Sequence, residues 1–174
     1  TIYHEHLDYH SIISFNRFFN HNGFEIFNIE HVDSHGGSVR IFTQLKDGQF
    51  AISNSVIEYL IKEKELGLDK IDTYLNFSER INHIGIELKT LLKTLKSKGK
   101  PIIGYGAPAK ATTALNFFGV TKEIDFIIED NKLKHNKFVP GVKIPIKKKS
   151  EIKNKKNTIV VLAWNFFKDI RANN

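Results

Sequence analysis

The stretch Pro101-Ile102-Ile103-Gly104-Tyr105-Gly106-Ala107-Pro108-Ala109-Lys110 marks the point at which the pattern of the chain changes. Ile102 and Ile103 ahead of two glycines read as a short buried strand running into a turn. Residues 109–118 have helical composition, with Gly119 as a stop. Two further apolar runs follow, residues 124–128, closed by Glu129-Asp130-Asn131, and residues 158–163. Strands that alternate with helical segments predict a parallel sheet with right-handed crossovers. A lysine-rich stretch, residues 132–156, links the second and third runs, with turns at Pro140-Gly141 and Ile144-Pro145. It reads as a solvated loop and helix surface.

The same ten residues carry the first chemical signal. Gly104-x-Gly106-x-x-Ala109-Lys110 sits where a strand passes into a helix. Glycines let backbone approach an anion and helix N-terminal amides point at it, while Lys110 and the hydroxyls of Thr112 and Thr113 add charge and donors. Glu129 and Asp130, at the end of the next strand, are placed to accept from ribose hydroxyls. A nucleotide diphosphate fits this pattern better than a complete NAD site, and a purely structural strand-to-helix turn remains the alternative. An NAD-dependent oxidoreductase would need a Tyr-Lys or His-Asp pair beyond the loop, and no convincing pair is present.

Upstream lies a different arrangement. Ile12, Ile13, Phe15, Phe18 and Phe19 fall at helical spacing, with Ser11 or Ser14 as N-cap and Gly23 past the end. Residues 24–30 and 38–45 alternate at period two around the turn Asp33-Ser34-His35-Gly36-Gly37-Ser38. Residues 56–65 are helical in pattern, and residues 71–95 form a long amphipathic helix ending at Lys98-Gly99-Lys100-Pro101. The expected organisation is a small α+β segment over 1–66, a connecting helix over 67–100, and a Rossmann-like nucleotide-sugar-binding region over 101–174, cut short of its last strand.

Composition bounds the chemistry. With 174 residues and 41% hydrophobic content, one good core, or one core plus a small satellite layer, is expected within one main domain. The absence of cysteine excludes disulfides and thiolate metal sites and makes a reducing, cytoplasmic setting the default. No apolar run approaches the length of a membrane span. A net charge of +7 calls for an anionic partner. Nucleic acid is not expected, because Lys147-Lys148-Lys149 and Lys155-Lys156 are adjacent runs with only Phe138 as an interleaved aromatic. A start at Thr1 and the lack of any Met lead us to expect a portion of a longer protein.

Tyr3-His4-Glu5-His6 gathers titratable groups at the first residues. His4, His6 and His10 could ligate zinc, the cluster could be a solvated end, or it could perform acid/base chemistry. No metal site is expected. For acid/base work a histidine titrates near neutrality, Glu5 could orient it and Tyr3 could donate to a developing oxyanion.

In order along the chain, YHEH, HGGSVR, GYGAPAKATTALNFFG and DN followed by PGVKIPI resemble the C-terminal half of the bacterial sugar C-methyltransferases. The resemblance spans residues 1–165. It implies methylation of a ring carbon of a nucleotide-linked keto-deoxysugar with S-adenosylmethionine, the methyl donor being held by an N-terminal part absent here, so that this chain alone is inactive. It implies that His6, or Tyr3, removes the proton beside the sugar ketone with support from Glu5. His35, Gly36, Ser38 and Arg40 would lie near the sugar cleft. Gly104, Gly106, Lys110, Thr113, Glu129 and Asp130 would hold the nucleotide or its diphosphate, with a dTDP-sugar as the expected partner. Glu129 departs from the aspartate expected before Asp130-Asn131. The alternative is a stand-alone nucleotide-sugar-binding module without catalysis; the oligomeric state is left open.

Overall fold

A computed structural model describes residues 6–34, 37–152 and 157–172. They fall into two compact units, Leu7–Arg80 and the residues from Ile81 onward together with His6, so that the long helix belongs to both.

In the first unit, α1 (Ile12–His21) begins with a reciprocal cap: the Ser11 hydroxyl accepts from the Ser14 amide, and Ser14 Oγ accepts from the Ser11 amide. The two candidate caps are thus partners in one capping box. Glu63 adds a second cap from a distant helix, its two carboxylate oxygens accepting the Ile12 and Ile13 amides at 2.8 Å each. Strands β1 (Phe24–Val32) and β2 (Ser38–Leu45) form an antiparallel hairpin. A bulge between Ile26 and Asn28 breaks the register. The strict alternation read from the sequence fails there because the bulge adds a residue to one strand. Phe27 stacks on Phe50 at 4.7 Å, and its carbonyl accepts from the Ser53 amide. Helix α2 (Asn54–Glu65) closes the unit, with Ile12, Ile26, Ile29 and Val56 buried at its centre.

Helix α3 (Ile71–Ser97) runs unbroken through the dividing point. Beyond it, β3 (Ile102–Tyr105), α4 (Ala109–Phe118), β4 (Phe126–Ile128), β5 (Ile146–Lys147) and β6 (Thr158–Val161) build a four-stranded parallel sheet in the order β5-β4-β3-β6. A short α5 (Phe167–Ala172) follows. The expected parallel α/β architecture is present. One face of the sheet packs Ile102, Ile127, Ile146 and Leu162 against Ala111 and Leu115 of α4 and Leu92 of α3.

Two readings of the sequence need correction. The second apolar run becomes a strand only from Phe126, because Asp125 is used as a tie: its carboxylate accepts from the Ile102 amide at 2.9 Å and from Lys96 at 3.0 Å. The lysine-rich stretch is not a mere solvated linker. Val139, Ile144 and Ile146 within it are buried in the core, and β5 is its contribution to the sheet. Lysines interspersed among them hid the apolar set that the sheet edge buries.

Candidate functional site

Because β3 has β4 on one side and β6 on the other, the chain leaves β3 in one direction and returns on the opposite flank. This is a topological switch point, the place where open parallel sheets bind ligands at the carboxyl ends of their strands. Here the loops after β3 and β6 touch: the Leu162 and Ala163 amides donate to the Tyr105 carbonyl at 2.9 and 3.2 Å. Gly106, Ala107 and Pro108 belong to the first loop, directly after Gly104 and Tyr105 of β3, and Ala163 and Trp164 to the second.

The glycines are set by packing. A Cβ on Gly104 would stand 2.7 Å from Ile127 Cγ1 and 2.9 Å from Leu162 Cδ1. At Gly106, φ is +85° and a Cβ would meet the Ala163 Cβ at 2.7 Å. Both positions need glycine to let neighbouring segments close on each other. The Gly106 amide donates to the Ile128 carbonyl at 2.8 Å, and α4 starts after Pro108, which has no amide to offer. The structural alternative for the glycine pattern thus has a concrete basis.

Glu129 is the fastener of this turn. Its Oε2 accepts the Ala107 amide at 2.8 Å and its Oε1 accepts the Asn131 amide at 3.1 Å. Lys134 Nζ donates to the Ala107 carbonyl at 2.9 Å and lies 3.6 Å from Glu129 Oε2. A His135 ring nitrogen lies 2.7 Å from the Glu129 carbonyl oxygen. Burial works to raise the Glu129 pKa, but the amides of Asn131, Ala107 and Asp130 together with the Lys134 charge outweigh it and hold the carboxyl below the ordinary glutamate range. Lys134 and His135 sit within the lysine-rich stretch and give no sequence signal of this role.

At the rim, Tyr105 OH donates to Asp130 Oδ2 at 3.2 Å, and Asp130 is exposed. Lys110 Nζ lies 4.6 Å from the centre of the Trp164 ring. Trp164, 48% exposed, was not among the expected site residues, although a tryptophan after the last apolar run could have flagged it. Thr113 lies three positions after Lys110 on α4, where helical periodicity places it on the same side. The turn, Glu129 and Asp130 are therefore brought together, and Lys110 and Thr113 lie on the helix that the turn opens.

The remaining candidates fall elsewhere. Ser38 and Arg40 lie on β2 in the first unit, where Ser38 Oγ donates to the Ser34 carbonyl at 3.1 Å and Arg40 pairs with Glu30 at 3.2 Å. Tyr3, Glu5, His35 and Gly36 lie outside the described residues; His6 is described and exposed. Among the described residues no three His, Asp or Glu side chains gather as a metal set, and no helix is long and apolar enough to cross a membrane.

Comparison with known proteins agrees with the motif resemblance. Residues 33–174 match the family described as the C-methyltransferase C-terminal domain. The C-methyltransferase NovU of Streptomyces niveus is 30% identical over 175 aligned positions, which cover 99% of this chain and 42% of the relative. The chain spans less than half of that relative's length. On the family match, which covers most of its residues, the chain belongs to the C-methyltransferase C-terminal domain family.

Proposed function

We propose that this chain is the acceptor-holding portion of an S-adenosylmethionine-dependent C-methyltransferase that acts on a nucleotide-linked keto-deoxysugar. The observation that carries the reading is the family match over residues 33–174, together with similarity to a C-methyltransferase along nearly the whole chain. The carboxyl ends of the strands support it physically: Lys110, held over the Trp164 ring, offers a cation suited to a phosphate, and the exposed Asp130 an acid suited to a ribose hydroxyl.

In this reading the methyl donor is held by another part of a longer enzyme. The role of this chain is to hold the sugar and, through His6, to take the proton from the ring carbon beside the ketone. The electron pair of that C–H bond then forms the enolate, whose carbon is the nucleophile. Tyr3 donates to the enolate oxygen and Glu5 orients the base.

Calorimetric titration of the chain with dTDP and with S-adenosylmethionine tests the division of labour. Heat with the first and none with the second is the expected result; binding of the donor alone would overturn it. In the complete enzyme, His6→Asn should abolish exchange of the sugar proton with solvent, and unchanged exchange would remove His6 as the base.

A further inference from the structure

We propose that Trp164 is a positioning residue for Lys110: its indole holds the ammonium, still charged, at the place where the diphosphate of the ligand meets it. The inference rests on the reading of this chain as a holder of a nucleotide-linked sugar, and adds how the cation is prepared. Lys110 Nζ lies 4.6 Å from the centre of the Trp164 ring. Other lysines of the same unit lean on acids instead. Lys96, Lys134 and Lys147 stand 3.0, 3.6 and 3.4 Å from Asp125, Glu129 and Glu151. A carboxylate partner neutralises an ammonium and competes with an incoming anion. A ring attracts the cation through its quadrupole and leaves the charge uncompensated. Among the described residues Lys110 has no carboxylate within ion-pair distance, so the indole is its electrostatic partner.

The ring is anchored from behind. The Ala163 amide donates to the Tyr105 carbonyl at 3.2 Å and the Phe166 amide to the Ala163 carbonyl at 2.9 Å, which ties the short turn Trp164–Phe166 to the end of β3. Lys110 stands in the first turn of α4, which opens from the loop after the same strand. Both members of the pair therefore hang on one fixed junction. A lysine that is free in solvent loses the freedom of several torsions when an anion arrives, whereas one already resting on a fixed ring has less to lose. Trp164 is 48% exposed, so a ligand can reach the pair from solvent. In this arrangement the indole acts on the phosphate end of the ligand, through Lys110, and not on its base.

Titration calorimetry of the 174-residue chain with inorganic pyrophosphate and with dTDP tests the proposal. Trp164→Leu should weaken both ligands about three- to fivefold, the size of an exposed cation–π contact. Trp164→Phe should recover most of the loss. In a Lys110→Met background, Trp164→Leu should cost nothing further for dTDP. The Lys110 ε-methylene protons, identified by their absence in Lys110→Met, should resonate upfield in the ligand-free parent through the indole ring current. That measurement needs only the folded parent and decides even if Trp164→Leu does not fold. An unshifted methylene, a Trp164→Leu loss that persists without Lys110, or a loss with dTDP and none with pyrophosphate would each overturn the proposal. If dTDP binds and ignores both substitutions, the proposal alone falls; if the parent binds neither ligand, the reading of the chain as a nucleotide-sugar holder falls with it.

Discussion

Glu129 and Ala107 are joined by a carboxylate-to-amide hydrogen bond of 2.8 Å that spans the gap between the loops after β4 and β3. With both oxygens taken by backbone amides, Glu129 acts as a strut for the turn, and Asp130 next to it is the acid that faces solvent. Replacing Glu129 with Gln keeps the shape but turns one acceptor into a donor opposed to an amide. Thermal unfolding should show a loss of about 1–3 kcal/mol. A variant as stable as the parent would mean that the strut carries no load.

The pH dependence follows from the same contact. The folded state holds the Glu129 carboxyl below its ordinary pKa, and Glu123, whose carboxylate accepts the Thr121 amide at 3.0 Å, is likewise lowered against the opposing effect of its burial. Unfolded chains bind these protons first. The stabilisation is therefore complete above the ordinary glutamate value of about 4.3 and is lost as pH falls through the lowered folded values. Denaturant midpoints measured from pH 6 downward should drop on acidification, and the drop should be shallower in Glu129→Gln.

Gly106→Ala should be costlier than Gly23→Ala. Both positions have positive φ, +85° and +78°, but nothing lies within 4 Å of a Cβ at Gly23, whereas Ala163 blocks the one at Gly106. The left-handed backbone alone costs about 1–2 kcal/mol, and the overlap adds roughly 1–3. Equal losses in calorimetry would show that the two loops can part without penalty.

Gly85→Ala inverts the usual rule for helices. Alanine ordinarily stabilises a helix interior by about 1 kcal/mol over glycine. Here the new methyl would fall 2.5 Å from Phe118 Cδ1, so a net loss in stability is expected. A gain would show that the Phe118 ring moves aside freely.

Glu63→Ala removes the two acceptors at the start of α1. A loss of about 1–2 kcal/mol should appear, with faster amide exchange at Ile12 and Ile13. Exchange unchanged at those two amides would assign the capping to Ser11 alone.

The sequence was informative where one periodicity described one element. Both hairpin strands, α3, β3, α4 and β6 were legible because their apolar residues recur at a fixed spacing or in one short run. It was misleading at 132–156, where lysines outnumber the buried Val139, Ile144 and Ile146, and at Asp125, whose side chain serves a strand 23 residues away. For the site, the glycine turn, Lys110 and the acids after β4 were visible as a motif. Trp164 and Lys134 were not, since neither lies in a recognisable spacing with the turn.

Taken alone, the order of residues determined the alternation of strand and helix after Pro101, the amphipathic pattern of α3 and the kinship of the chain, since each is written in local spacing or in short motifs. Only the tertiary structure decided which glycines face packed side chains and that Glu129 clasps a backbone amide 22 positions away. Those pairings depend on the strand order β5-β4-β3-β6, and neighbourhood across a sheet is a property of how distant segments meet in space.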